Sequence, residues 1–410
     1  MSISIKPISI EEFEKTQHIY ACANFQQSAQ MAKCQKSRAV YIGTELIQIL
    51  DDGRLIGQSI INYRKFYKFF KRAYILNGPL MDYTDSQKVS DVFIELEKYL
   101  KRKCAEVKIT PPLHNLILND KLEISARLNE RVGTALCELG FSNFVDRSCS
   151  QSIDQIFIKN LSDYESFDKI TKEWTSAFRS SIKKFSDSCV KLRELKQDEI
   201  DVFYNIYTET GKRKNFVLQS KEYFRLLKEN FGEQAKFMEA YLDCRAYEKY
   251  LSSNITNFEQ KVSELEKLEL TKKVKGQLND AKDQLRSYLK RKESYDKLQI
   301  GDATISLSSY VFICYGDEVI ILYGGSHADY LNFGGSTLLN YAMIRHALES
   351  GYKRYNFYGT IETDQLTKAK GNYHFKKNFG GNLVVLIGTF TKTFNPFVTM
   401  LKRIKKHADA

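Results

Sequence analysis

Apolar positions along this chain follow the strand rhythm and the helix rhythm in turn, and one long segment breaks the alternation. Strand-type apolar runs fall at Ala39–Ile42, Leu46–Leu50 and Arg54–Tyr63, the last two joined by the hairpin turn Asp51-Asp52-Gly53. Ser86–Cys104 has helical spacing, with Val89, Val92, Phe93, Leu96 and Leu100 on one face. A short strand at Glu106–Ile109 stops at Pro111-Pro112, and Arg127–Gly140 reads as a helix closed by its glycine. Near residue 155 the plan restarts with the strand QIFIKNL and a helix start at SDYESFDKI. One basic helix then runs through Lys169, Lys172, Arg179, Lys183 and Lys184. The strand Val190–Leu195, the helices Ile200–Thr210 and Lys221–Phe231, and the strand Lys236–Asp243 complete this half.

Residues 246–297 leave that plan. They are dense in Glu and Lys and almost free of Gly and Pro. Leu251, Ile255, Phe258, Val262 and Leu265 form one narrow stripe, and Val274, Leu278, Ala281, Leu285 and Leu289 form a second. Stripes of that width suit a seam between two helices better than burial in a globular core. An antiparallel helical hairpin is predicted, turning near Glu269–Lys275, each helix about 30 Å long.

Sheet signals resume at Ala303–Tyr315 and Val319–Tyr323, around the turn Gly316-Asp317. A helix follows through Leu338, Leu339, Ala342, Met343, His346 and Ala347, then a strand at Arg354–Tyr358. The stretch GNYHFKKNFGG, Gly371–Gly381, leads into a last strand, Leu383–Gly388, and a basic tail. The fold class is α/β (α+β): two tandem units carrying an inserted helical arm.

Composition adds direction. The chain has 410 residues, a formal charge of +12, and only five prolines, so long disordered linkers are not expected. The charge favours anionic partners, although a Lys-rich soluble protein would show it too. Eight scattered cysteines without a C-x-x-C read as reduced thiols, neither a disulfide frame nor a zinc site. The N-terminal MSISIKPISIEEF is a strand running into a helix and does not read as a signal peptide. No apolar run reaches the roughly 18 residues of a membrane span. A cytoplasmic protein, or one peripheral to a membrane, is expected.

Signatures of covalent or metal catalysis are missing: no G-x-S-x-G, H-E-x-x-H, Walker sequence or G-x-G-x-x-G occurs. No metal or cofactor is expected. What remains is direct transfer between two bound substrates, with the protein supplying position and electrostatics. Gly-Gly-Ser before the helix at 335 could present N–H groups to an anion, or simply make a capped turn. The loop Arg64, Lys65, Phe66, Tyr67, Lys68, Phe69, Phe70, Lys71, Arg72 interleaves cations with aromatics. Arg64, Lys65, Phe66, Phe69, Phe70, Lys71 and Arg72 are read as facing an anionic membrane, against the alternative of a solvated edge hairpin. Lys402, Arg403, Lys405 and Lys406 in the tail make a second, weaker patch.

YGGSHADYLNFGGSTLLNYAMIRHALESGYKRYNFYGT, followed by FKKNFGGNLVVLIGTF, strongly resembles the FemABX peptidyltransferases. Upstream, NFQQSAQMAKCQKSR and NGPLMD are similar to that family's opening and Gly-Pro strand-end motifs. The resemblance implies two GNAT-like domains, 1–150 completed by about 384–410, and 151–245 with 298–383, with 246–297 as the arm. It implies transfer of Ala, Ser or Gly from aminoacyl-tRNA, as co-substrate, to the stem-peptide lysine or growing cross-bridge of lipid II. The enzyme would work at the inner face of the cell membrane as a monomer or weak dimer.

By this resemblance Phe375 and Lys376 handle the aminoacyl-tRNA end, while Tyr323 and Tyr223 line the acceptor channel. Lys183, Lys184, Lys272 and Lys273 are expected to contact tRNA. Several positions depart from the family: Met31 replaces a Trp, Gln35 a phosphate-binding Lys, Gln219 its companion Arg, and Thr110 an acidic residue. Lys33, Lys36, Arg213 or Lys214 is expected to supply the missing charge. Glu362, Asp364 and His374 lie close enough in sequence to Lys376 to be weighed as a base, each with a structural alternative. The rival readings are an acyl-CoA-dependent GNAT N-acyltransferase and a catalytically decayed tRNA- or membrane-binding member.

Overall fold

A computed structural model describes residues 2–119, 121–144, 154–269, 271–301, 303–359 and 370–408. Two mixed sheets carry the helices. Among the described residues the first sheet runs in the order Ile3–Ile8, Gly43–Asp51, Arg54–Phe66, Phe70–Leu76, Glu106–Thr110, Thr389–Thr393 and Ser142–Phe144, with Leu80–Met81 paired against Arg54–Phe66. The second runs Val190–Glu194, Ala235–Asp243, Thr304–Tyr315, Glu318–Ser326, Arg354–Gly359, Gln155–Asn160, Asn382–Leu386, His114–Leu118 and Ile124–Arg127. Each sheet has a parallel pair in an otherwise antiparallel order, 70–76 with 106–110 and 318–326 with 354–359.

The sheets exchange strands. His114–Leu118 and Ile124–Arg127, early in the chain, extend the second sheet, and Thr389–Thr393, near its end, lies inside the first. The expected single strand Leu383–Gly388 is therefore two strands. Gly388 turns the corner between them at φ +94°, where a Cβ would meet Asn143 at 2.9 Å. The helix face at Val89, Val92, Phe93, Leu96 and Leu100 is buried as its spacing requires, within one core with Ile61, Ile75, Ile109 and Phe390.

Other elements differ from the pattern-based reading. Residues 39–42 form a turn, and the helix expected from Arg127 begins at Glu130 because Asn129 is left-handed. The single basic helix is two, Phe167–Glu173 and Ser176–Ser186, separated at Trp174. Trp174 is buried; its indole donates to the Phe379 carbonyl at 2.9 Å, and that anchorage sets the break. The arm is two helices, Cys244–Glu266 and Lys272–Asp296, so the turn comes slightly before the expected position. Leu265, Leu278 and Ala281 form its seam with Phe258, Val262 and Val274. Leu289 is exposed instead, and Tyr288 takes its place, stacked 5.7 Å from Phe258.

GNYHFKKNFGG does not lead into its strand in extended form. Lys370–Lys377 is a helix, and the two glycines turn the chain afterwards. Gly381, at φ +136°, passes so close to Ile158 that a Cβ would lie 2.5 Å from its carbonyl oxygen. The basic tail is the helix Pro396–Ala408.

Candidate functional site

Where the two sheets meet, a cavity of about 370 Å³ is lined from both halves of the molecule. Gln27 fixes the first wall. Its side chain accepts from the Ile60 amide at 2.7 Å and donates to the Leu76 carbonyl at 2.8 Å. Ser28 then caps the helix Ala29–Lys36 through the Met31 amide. That helix carries Gln35 into the cavity and leaves Arg38 just beyond its end.

Arg38 was not among the expected site residues, and it joins both walls. Its guanidinium donates to Gln219 Oε1 at 2.7 Å and to Gln35 Oε1 at 3.3 Å, and lies 4.3 Å over the Tyr223 ring. Gln35 and Gln219, where the resemblance leads one to expect cations, are thus held by one arginine. Arg64 lines the same cavity, donating to the Tyr41 hydroxyl at 2.9 Å. Lys214 sits at the solvent rim.

Of the four lysines and arginines expected to replace the missing charge, the structure brings only Lys214 to this cavity. Lys33 is exposed beside Glu14, Lys36 lines a different hollow, and Arg213 donates to the Ser326 carbonyl. The signal for Arg38 was present in the sequence: it ends the NFQQSAQMAKCQKSR motif, one turn beyond Gln35.

Tyr223 and Tyr323 face each other edge to face, 6.1 Å apart, as walls of the cavity. Tyr207 and Phe224 pack behind them, and the Tyr207 hydroxyl accepts from the Gln219 amide. Burial pushes both cavity tyrosines up, so their hydroxyls stay protonated.

The opposite wall is the helix of GNYHFKKNFGG, which contributes Asn372, Phe375 and Lys376. Lys376 is only 6% exposed. Its Nζ donates to the carbonyls of Gly359 at 2.6 Å and Tyr358 at 3.1 Å, and burial, aided by the Lys214 charge, pushes it down to about 7. Phe375 is half-buried, packed edge-on against Phe379 at 5.4 Å, and borders the cavity. Lys377 lies instead in a separate hollow with Lys159 and His374. Among the described lining residues are four cations and no carboxylate. Such a lining suits anionic ligands. Glu362 and Asp364 lie outside the described residues.

A larger cavity of about 710 Å³ adjoins the first and shares Gln26, Leu76 and Tyr358 with it. The NGPLMD motif borders it through Asn77, Met81 and Asp82, and so does Thr110. Inside it Glu318 is buried and its carboxyl is pushed up, with Asn356 donating to it at 3.2 Å.

The remaining expected residues fall elsewhere. Lys183 and Lys184 are exposed at the end of their helix, with Lys184 near Arg291 at the arm's base. Lys272 and Lys273 are at the arm's tip, about 29 Å away along the helix, so the four do not form one patch. In the aromatic–basic hairpin, Arg64 and Arg72 turn inward and are not surface cations. Arg64 enters the cavity, and Arg72 pairs with buried Glu106 and stacks on Phe66. Gly334 and Gly335 are packing positions: a Cβ on Gly334 would lie 2.2 Å from the Phe185 ring, which covers that helix start.

This architecture is that of a mixed α/β protein with two strand-exchanging sheets and a cavity between them. The chain belongs to the FemAB family, which it matches over residues 8–407. It is similar to aminoacyltransferase FemB of Staphylococcus epidermidis, 28% identical over 352 residues and 84% of each chain. It is 26% identical over 377 residues to aminoacyltransferase FemA of Staphylococcus aureus, covering 88% of this chain and 90% of that one. The crystal structure of FemX superposes with a TM-score of 0.71 over 97% of this chain and 99% of that one, at 20% identity, and so shares its fold.

Proposed function

We propose that this chain is an aminoacyltransferase that moves Ala, Ser or Gly from aminoacyl-tRNA to the stem-peptide lysine or growing cross-bridge of lipid II. The observation that carries this reading is the cavity between the sheets, whose described lining holds four cations and no carboxylate, with Lys376 on one wall and Arg38 on the other. An acceptor with an anionic head and a donor with an anionic backbone both suit it.

The acceptor amine attacks the ester carbonyl. A C–N bond forms, the C–O bond to the ribose breaks, and the amine proton leaves with solvent or the departing hydroxyl. The ester is already activated, so no nucleophilic side chain is needed. Arg38, Arg64 and Lys214 hold the acceptor phosphate. Phe375 stacks the terminal adenine, and protonated Lys376 offsets the negative charge developing at the carbonyl oxygen. The acceptor's lipid keeps the reaction at the inner face of the membrane.

The test is incubation with lipid II and a mixture of charged tRNAs, then weighing the product. A gain of one residue mass supports the reading. An acceptor unchanged by tRNA but acylated by acetyl-CoA would overturn it.

A further inference from the structure

Two segments more than 300 residues apart in sequence share one face of the molecule. The hairpin Arg54–Phe66/Phe70–Leu76 ends in the tip 67–69, and the helix Pro396–Ala408 lies beside it. Phe70 and Phe397 are 6.2 Å apart between ring centres, and Lys402 Nζ is 5.9 Å from the Phe66 ring. Glu106, wholly buried, ties the two together: Arg72 and Lys402 both pair with it, and Thr393 donates to it at 2.7 Å. These two inward cations share one buried carboxylate within the fold.

What faces outward is different. Phe69 is 88% exposed, Ile404 58% and Phe397 53%, with Tyr67 and Met400 also exposed. Phe397, Met400 and Ile404 follow i, i+3, i+7 spacing and share one helix face, whereas Val398 is buried. Lys65, Lys68, Lys71 and Arg403 are exposed around these residues. Neither 64–72 nor 396–408 contains an acidic residue. Large apolar side chains held outward among cations that form no ion pair with the described residues match an anionic bilayer, with its negative headgroups above an apolar interior.

We propose that the hairpin tip and the C-terminal helix form a single docking surface that seats this protein on anionic lipid. The surface also orients the site. Arg64, on the same strand as Phe66, lines the cavity three residues before the tip begins, so at about 3.3 Å per residue the cavity wall lies roughly 10 Å from the tip. That distance holds the cavity at headgroup depth for an acceptor carried by the membrane. The orientation rests on the proposed function; the docking does not.

The experiment is co-sedimentation of the full chain with phosphatidylcholine vesicles, with and without phosphatidylglycerol. Salt-sensitive binding that requires phosphatidylglycerol is expected. Phe69→Ser with Phe397→Ser should weaken it at least tenfold. Lys65→Glu with Lys68→Glu, which leaves the ring contacts intact, should abolish the phosphatidylglycerol dependence. Both variants should retain the parental circular dichroism and still act on a water-soluble acceptor fragment. If the intact chain ignores phosphatidylglycerol, or both variants bind like the parent, the surface is not a lipid site. If light scattering shows a dimer that the variants dissociate while vesicle binding is unchanged, the face belongs to a second copy and the proposal fails. Vesicle binding without aminoacyl transfer would sink the proposed function and leave the docking surface standing.

Discussion

The Arg38 guanidinium bridges Gln35 and Gln219, donating to the side-chain oxygen of each, and lies over Tyr223. Gln35 and Arg38 come from the N-terminal part of the chain, while Gln219 and Tyr223 lie some 180 residues later. The charge that the resemblance leads one to expect at positions 35 and 219 is carried here by a third side chain, which is planar, always protonated and stacked. The stacking holds the guanidinium in place at the cavity wall.

Arg38→Ala should raise KM for the lipid-linked acceptor by about 10- to 100-fold, the range for losing a charged hydrogen bond. The kcat value should change only severalfold, because the proposed arrangement sets the reacting ester on the opposite wall. Arg38→Lys should recover little, since an ammonium cannot fork to both glutamines. Steady-state kinetics with acceptor and donor varied separately check this. An equal fall in kcat would place Arg38 in the transfer step instead.

Lys376 makes pH a second handle. The acceptor amine must be neutral, and a lysine amine has an ordinary pKa of about 10.4, so log kcat/KM should rise with pH from acid conditions. If protonated Lys376 assists transfer, its loss of charge near 7 cancels that rise, and the profile should flatten above about pH 7. In Lys376→Met the residual rate, lower by about 10²–10³-fold, should keep climbing past that point. Stability offers an independent readout. The unfolded chain holds the Lys376 proton up to the ordinary 10.5 and the folded chain only to about 7. The unfolded state therefore binds more protons between those values, and the parent should gain stability relative to Lys376→Met as pH rises across that window.

The two kinds of sequence signal differed in how far they carried. Local periodicity identified the arm, whose seam partners lie on the adjacent helix, and the Ser86–Lys101 helix, whose apolar face is written in its own spacing although the residues it packs on are distant in sequence. It missed the break at Trp174 because the partner that fixes the indole, Phe379, is 205 residues away. The inward turn of Arg64 and Arg72 is hidden for a similar reason: a hairpin of alternating cations and rings has no marker for Glu106 or Tyr41, which lie on other elements. Arg38 stands in the same motif as Gln35, but only the fold, which brings Gln219 to its guanidinium, shows that this cation serves the wall.

The arm should be separable from the body. Its seam of Leu265, Leu278 and Ala281 makes its own cluster, so Leu278→Ala should loosen the hairpin locally and leave the sheets folded. Hydrogen exchange should show faster exchange across 250–290 alone. Lys272→Ala with Lys273→Ala should keep the arm intact and, if tRNA reaches its tip, lower the salt slope of tRNA binding by up to about two. An unchanged slope, measured by fluorescence anisotropy over a salt series, would remove the tip from the tRNA path.

The end of the chain should matter to the fold far more than a tail would. Thr389–Thr393 lies between Glu106–Thr110 and Ser142–Phe144, so the first sheet is completed only when the last strand is in place. Phe390 on that strand is fully buried against Phe93, Leu136 and Ile109. Phe390→Ala should cost about 3–5 kcal/mol, the usual range for emptying an aromatic site in a packed core. Truncation after Leu386 should do more, leaving Glu106–Thr110 with an unpaired edge and the Val89–Leu100 helix without one side of its core. Urea denaturation followed by tryptophan fluorescence adds a spatial readout, because the only tryptophan, Trp174, reports on the second sheet. A fluorescence transition that moves together with far-ultraviolet circular dichroism in Phe390→Ala would show that the exchanged strands couple the halves into one cooperative unit. A shift in the dichroism alone would show that the first sheet melts independently of the second.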